Sequence, residues 1–337
     1  MKPFRTISDF RKIHLKTLQG FFEEVLKIAL EAGAMKLGRV ALDGTKIKAN
    51  ASKHKAMSYE RMKLQEKAIR EQVKELLAQA EATDSVEDAR YGKDRRGDEL
   101  PEELRRRESR LQRIREAKRA VEQRAKEKAE AEGKPVEDAQ PKAKDQYNFT
   151  DPESRIMKSG EGFVQAYNAQ AVVEAEFQLI VGQAVTQAAN DKEQLQPMVA
   201  VTEQQSGQRL EELLADSGYC SENNLEHLDA ATEPDKHIQA YVATGRQKHG
   251  AESAVCPRGP LPKDATRVEG MKRKLETKAG AAIYAARKAI VEPVFGQIKQ
   301  VRGFRRFSLR GLVKVQAEWA LVCLTHNILK LHRICYG

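Results

Sequence analysis

Aromatic residues are scarce: they make up 6% of the 337-residue chain, with a single tryptophan. Cysteine is scarcer still. Cys220, Cys256, Cys323 and Cys335 are the only four, and none sits in a Cys-x-x-Cys pair, so neither a zinc ribbon nor a dithiol redox motif is indicated. A chain of this length with so few cysteines has no disulfide framework, which fits a reducing cytoplasm. His54, His227, His237 and His326 lack ligand spacing to one another or to cysteine, and they read as structural or surface residues. No apolar run reaches membrane-spanning length and no signal-peptide pattern opens the chain. The most apolar helix, near Trp319 to Leu331, is broken by Glu318, His326 and Asn327 and reads as core.

Positive charge, by contrast, is abundant. Lysine and arginine number 59 against 49 acids, a net charge of +10, which favours a polyanionic partner and nucleic acid first. The length allows one large domain or two ordinary ones. Residues 1–36 read as a helical segment, with Ser8 as a cap and Phe10, Ile13, Leu18, Phe21, Phe22, Val25, Leu26 and Ile28 as a broad apolar face. Residues 55–145 are rich in charge and in Gln and Ala. Leu64, Ile69, Val73, Leu76 and Leu77, then Leu104, Leu111, Ile114 and Val121, recur at helical spacing, and a polar stretch through Asp94, Gly97, Asp98 and Pro101 separates the two runs. The spacing predicts two long charged helices folded back as an arm.

Around that arm the pattern is α/β. Val40 to Leu42 predicts a short buried strand closed by an Asp43-Gly44 turn, with Lys46 and Lys48 alternating after it. Gly162 to Glu174 and Phe177 to Gln187 predict a hairpin, and Asn190-Asp191 a cap for the helix that follows from Lys192. An apolar run ends at Asp216, a helix spans Glu222 to Leu228, and a strand runs from His237 to Thr244. Strands and helices in this order predict a mixed sheet flanked by helices.

The segment Tyr284 to Leu312 carries one acid, Glu292, among many bases. On a helix, Tyr284, Lys288, Glu292, Phe295 and Lys299 share one side, opposite Ile283, Ile290, Val294 and Ile298. Pro293 cannot donate a backbone hydrogen bond, so the helix either kinks at Glu292 or starts anew there. Arg302, Arg305, Arg306 and Arg310 interleave with Phe304 and Phe307, as a phosphate-binding surface or as a solvated connector between helices. Asp43, Asp216 and Glu292 are the candidate carboxylates. Three gathered acids repel unless cations neutralise them, and oxygen-only ligands suit Mg²⁺.

The runs ALDGT, LLADSGY and AIVEPVFGQIK resemble, in order, the three catalytic boxes of the DDE transposases of bacterial insertion sequences. The resemblance extends over nearly the whole chain and includes GFRRFSLRGL and the apolar helix after it. It implies an RNase H-like domain over 37–54 and 146–311, interrupted by the arm at 55–145 and followed by a C-terminal helix over 312–337. It implies that Asp43, Asp216 and Glu292 hold two Mg²⁺ ions, with Mn²⁺ as a substitute. The glutamate box of this group carries Tyr, Arg, Glu and Lys at set gaps. Lys299 keeps its gap from Glu292, Lys288 stands in the usual place of the Arg, and Tyr284 has its expected gap to Arg287 instead. The implied chemistry is strand cleavage at element ends and strand transfer to target, on double-stranded DNA, by a homodimer on DNA in the cytoplasm. Lys46, Tyr284, Arg287, Lys288, Lys299, Arg302, Arg305, Arg306 and Arg310 are the implied DNA contacts. Relatives carry more sequence before PFRTISDFR, so an N-terminally truncated frame is expected. The rival expectation is a non-transposing DNA-binding relic or helical interaction protein.

Overall fold

A computed structural model describes residues 10, 13–91, 102–160, 162–229, 237–245, 259–262 and 264–336. The side chains of residues 19, 80–91 and 102–103 are not described. The expected Ser8 cap, the polar stretch through Asp94 and Pro101, and Cys256 lie outside the described residues.

The chain packs as two compact units, one drawn from residues 1–50 and 153–337 and one from 51–152. In the larger unit, α1 (Leu15–Glu31) precedes β1 (Arg39–Lys48). After the smaller unit come β4 (Arg155–Ser159), β5 (Gly162–Glu174) and β6 (Ile180–Thr186). Then follow α4 (Leu195–Ser206), β7 (Glu212–Ala215), α5 (Glu222–Asp229) and β8 (Gln239–Val242). The chain ends with α6 (Arg267–Glu276), α7 (Lys278–Gly296), a π-helical turn over Gln297–Val301 and α8 (Leu312–Tyr336).

Six strands form one mixed sheet. Its order is β4-β5-β1-β7-β8, with β6 also on β5. β1 runs antiparallel to β5 and parallel to β7, and β7 runs parallel to β8. Ala166 of β5 pairs with both Arg155 and Lys48, and Asn168 with both Thr186 and Lys46. So β4 and β6 follow each other along the edge of β5 that β1 leaves free. Helices flank this sheet, the arrangement expected of an RNase H-like transposase domain. β1 sits centrally, and its Val40, Ala41, Leu42 and Ile47 are buried. The short strand β4 had no counterpart in the sequence reading.

Three local expectations change. β1 does not turn at Asp43-Gly44 but runs ten residues through it. Gly44 is there for space: a Cβ on it would stand 2.7 Å from Asp191 Oδ1. The hairpin's second strand starts at Ile180, not Phe177, because Gln178 takes a left-handed conformation (φ 60°) and the buried Glu174 carboxylate accepts from the Glu176, Phe177 and Leu179 amides. Finally, α7 continues through Pro293. The Ala289 carbonyl, whose helical donor Pro293 lacks, accepts instead from Gln178 Nε2 at 2.9 Å.

The smaller unit holds β2 (Ala56–Ser58) paired with β3 (Gln146–Asn148), and two long helices, α2 (Tyr59–Tyr91) and α3 (Glu102–Ala131). Tyr59 bonds Glu122 at 2.7 Å, while Glu66, two turns on, binds Arg115 and Lys118, so the helices run antiparallel. Their seam is narrow: Tyr59, Met62 and Ile69 meet Leu111, Ile114, Ala117 and Val121. Leu64, expected in that stripe, is 66% exposed, because it falls on the helix face turned away from Met62 and Ile69.

Within the larger unit, Leu18, Phe22, Leu26 and Ala29 of α1 are buried, and α1 packs on α8. Of the broad apolar face expected there, Phe10, Ile13, Phe21 and Ile28 are exposed. Among the described residues no helix is long and apolar enough to cross a membrane. In α8, His326 is fully buried, with Nε2 3.0 Å from the Gln178 carbonyl and Nδ1 without a partner. Burial, with Lys330 and Arg302 nearby, lowers its pKa from 6.5 to about 4. The folded state therefore resists the proton that the unfolded chain accepts. The parent chain should lose up to about 3 kcal/mol of stability between about pH 6.5 and pH 4, relative to His326→Gln, in urea melts compared across that window.

Candidate active site

The site is assembled where β1 meets β7. Their parallel register ends at Leu42↔Ala215, so Asp43 and Asp216 are each the next residue along. Asp43 continues in the strand. Asp216 leaves it and caps a one-turn 3₁₀ helix over Ser217–Tyr219, accepting from the Gly218 amide at 2.8 Å. Asp43 thus lies within β1, not at its end as expected. Its Oδ1 accepts from the Gly44 amide at 2.8 Å and its Oδ2 from Arg287 Nη1 at 3.1 Å. Burial raises the Asp43 pKa from 3.8 to about 6; Arg287 pulls it down and the Asp216 charge pushes it up. The Asp216 charge thus reaches Asp43, as the register that sets them next along adjacent strands requires.

Helix α7 lies over this pair. Ile290, Val291 and Val294 bury its underside, and Ile298 continues that line through the π turn. Arg287 is on the buried side too and reaches Asp43, whereas Lys288 is exposed. Of the two bases in the glutamate box, it is Arg287 that meets Tyr284: Tyr284, three residues before Arg287, lies beside it, and both feel the charges of Asp43 and Asp216. Lys299 Nζ bonds Thr45 Oγ1, on the same face of β1 as Asp43. Burial lowers its pKa, as do Arg305 and Lys46.

Glu292 stands elsewhere. It is on α7, five residues past Arg287, exposed, and no hydrogen bond or ion pair engages it among the described residues. Among the described residues no three His, Cys, Asp or Glu side chains gather as a metal cage. The oxygen-only pair Asp43 and Asp216 does fit a hard divalent cation, since like charges this close favour a neutralising partner.

The distal arginines have their own engagements. Arg302 bonds the Val322 carbonyl at 3.3 Å and Thr325 Oγ1; Arg305 bonds the Lys299 carbonyl at 3.2 Å; Arg310 bonds the Asn50 carbonyl at 2.8 Å. Arg306 forms a single parallel bridge with Lys48. All four are exposed, while Phe307 is buried and Phe304 stacks on Trp319 at 6.4 Å. The aromatic residues of this run anchor it to the core and the arginines face solvent.

One site residue was missed from sequence. Asp191 does not cap α4, whose N-cap is Gln194 without a side-chain bond. It accepts from Asn168 at 2.6 Å, Gln170 at 2.7 Å and Lys46 at 3.4 Å. Gln170 in turn accepts from the buried Tyr219 hydroxyl, beside Asp216. The available signal was a carboxylate a few residues after a buried strand, the same kind of position as Asp216.

The raised pKa of Asp43 carries a stability cost with a defined sign. The unfolded carboxyl ionises near pH 4 and the folded one near pH 6, so the folded state loses stability as pH rises through that window. In cation-free buffer, Asp43→Asn should gain up to roughly 3 kcal/mol on the parent between about pH 4 and pH 7.5, read from paired unfolding curves. A difference that does not change with pH would mean that Asp43 is not buried against a like charge.

Comparison with known families agrees with this geometry. No curated protein and no solved structure matches the chain. A family model for the transposase DDE domain matches residues 36–328, which include the sheet, both aspartates and all of α7. On that match, and with Asp43 and Asp216 brought together on adjacent central strands, the chain belongs to the DDE transposase family.

Proposed function

We propose that this transposase cleaves DNA strands at the ends of its element and joins them to target DNA, using Asp43, Asp216 and Glu292. The observation that carries this reading is the meeting of Asp43 and Asp216 under Arg287 in a partly buried, oxygen-lined site. When bound there, two Mg²⁺ ions, or Mn²⁺ in their place, would lower the pKa of the attacking hydroxyl and offset charge on the phosphate. Asp43 and Asp216 would hold them, with Glu292 as third ligand. Arg287, Tyr284, Lys299 and Lys46 line the approach and would orient a phosphodiester, with Lys288 and the exposed arginines Arg302, Arg305, Arg306 and Arg310 holding the flanking backbone. Because each reaction handles two ends, the working form is a dimer on double-stranded DNA, and its place is the nucleoid of the cytoplasm. The RNase H-like body comprises residues 37–54 and 146–311, and the charged arm over 55–145 clamps DNA or a partner.

A second reading, a DNA-binding relic without chemistry, draws on the exposed position of Glu292 apart from the two aspartates. One set of variants separates the two. Asp43→Asn, Asp216→Asn and Glu292→Gln should each lower Mg²⁺- or Mn²⁺-dependent cleavage of double-stranded DNA by roughly a thousandfold or more, the scale of losing an essential catalytic group. Binding to the same DNA, measured by filter retention, should persist in all three. Retained cleavage in any one variant removes that residue from the mechanism. A parent chain that binds DNA and never cleaves it establishes the relic.

Lys299→Ala should flatten the salt dependence of that binding by about one counterion. An unchanged slope would leave Lys299 as a prop for Thr45 alone.

A further inference from the structure

Asp191 is more elaborately held than a turn residue needs to be. Its carboxylate takes hydrogen bonds from Asn168 and Gln170, both fully buried on β5, and from the Lys46 ammonium of β1. Two glycines make the room. A Cβ on Gly44 would crowd Asp191 Oδ1, and one on Gly218 would lie 3.0 Å from Asp216 Oδ1 and 3.7 Å from Asp191 Oδ2. Asp191 and Asp216 therefore both crowd the space a side chain at Gly218 would fill.

Lys46 is the cation caught in this arrangement. Its side chain is 16% exposed, and its ammonium feels three carboxylates: Asp191, which bonds it, and Asp43 and Asp216, which do not. The pairing of β1 with β7 stops at Leu42↔Ala215. Between that point and the Lys48 bridge to Arg306, no strand among the described residues pairs with this edge of β1, and a flexible four-carbon stem can cross it. An ammonium set between Asp43 and Asp216 would neutralise part of their charge and occupy the lone pairs that a cation needs.

We propose that Asp191 is a positioning residue that holds Lys46 off the Asp43–Asp216 pair and so keeps that pair open to a divalent cation. The proposal rests on reading those two aspartates as cation ligands. The role assigned to Asp191 is not that of a ligand: its Oδ1 already accepts from Asn168, Gln170 and Lys46, and its Oδ2 faces Lys46 at 3.5 Å. Its charge makes it the better partner for Lys46, and the rigid amides of Asn168 and Gln170 fix it where Lys46 must come to it. The device works through charge, so neutralising Asp191 frees Lys46 to move to the nearest remaining anions.

Mn²⁺ binding to the full chain without DNA, followed by electron paramagnetic resonance, tests this independently of turnover. Asp191→Asn should weaken Mn²⁺ binding roughly tenfold, the scale of one partly buried charge contact. Adding Lys46→Met to that variant should return affinity to within about threefold of the parent, because the intruding charge is gone. Unchanged affinity in Asp191→Asn overturns the proposal. So does a loss that Lys46→Met fails to restore, since Asp191 would then act as a ligand or a fold element. If Asp191→Asn does not fold, Lys46→Met alone decides: affinity equal to or tighter than the parent's is expected, and a loss of about tenfold overturns the idea. The underlying reading fails in a different way. Mn²⁺ affinity that survives both Asp43→Asn and Asp216→Asn removes the pair as ligands, and the role of Asp191 with it.

Discussion

Two like charges side by side in a partly buried site are unfavourable, and much of this molecule is arranged around that fact. Burial raises the cost of ionising Asp43, and the Asp216 charge adds to it. The surrounding chain answers with cations on three sides: Arg287 from α7, Lys299 from the π turn after it, and Lys46 from β1 itself. None of these is free to settle anywhere. Arg287 is pinned by the packing of its helix underside, Lys299 by Thr45 and Lys46 by Asp191. Under the proposed function, a site that takes a doubly charged cation and a phosphate would need this combination, in which acids are close enough to repel and bases are tethered so that they do not collapse onto the acids.

The fold supplies the closeness by register rather than by loops. Parallel pairing of β1 and β7 makes Asp43 and Asp216 successive neighbours wherever that ladder stops, and it stops at Leu42↔Ala215. Antiparallel pairing with β5 then brings Asn168 opposite Lys46 and Gln170 opposite Gly44, which builds the Asp191 cradle on the other face of the same strand. One ten-residue strand therefore serves both groups, odd residues toward α7 and even residues toward β5's amides. The 3₁₀ turn carrying Asp216 is bolted down by Tyr219 to Gln170 and by Asn224 to the Tyr219 carbonyl at 2.7 Å.

Much of this was legible in the sequence, and the exceptions share a cause. The α/β order, the Gly162–Glu174 strand, the charged helices and the basic acid-bearing helix each follow from local periodicity, which is a property of neighbours in the chain. What local pattern could not give was choice between equal chemical meanings. Asp43-Gly44 has the composition of a turn, yet its glycine answers to a carboxylate from a distant segment, so the strand continues. Asn190-Asp191 has the composition of a helix cap, yet the aspartate is drawn away by three donors that only the folded sheet assembles. Pro293 has the composition of a helix stop, yet the carbonyl it orphans finds Gln178 from the β5–β6 turn. In each case a tertiary partner supplied what the local rule said was missing.

Helix geometry decides why Arg287, rather than its neighbour Lys288, faces Asp43. On a helix, adjacent residues diverge by about 100°, so only one of the two can point at the sheet. Val291 and Val294, one and two turns on, bury that side, and Arg287 shares it. Arginine also suits the place better than lysine, because its planar fork can hold Asp43 Oδ2 and still engage the Tyr284 hydroxyl. Glu292 is displaced from that buried line by one residue and stands in solvent beside Pro293. Its distance from the aspartates is therefore set by the rotation of α7, and that rotation is held by the Ala289–Gln178 bond and by Ile290, Val294 and Ile298 beneath. In the proposed role as third ligand, Glu292 would join the two aspartates only by a change in its own side chain or in the turn of helix that carries it, the turn from which Pro293 removes one backbone hydrogen bond.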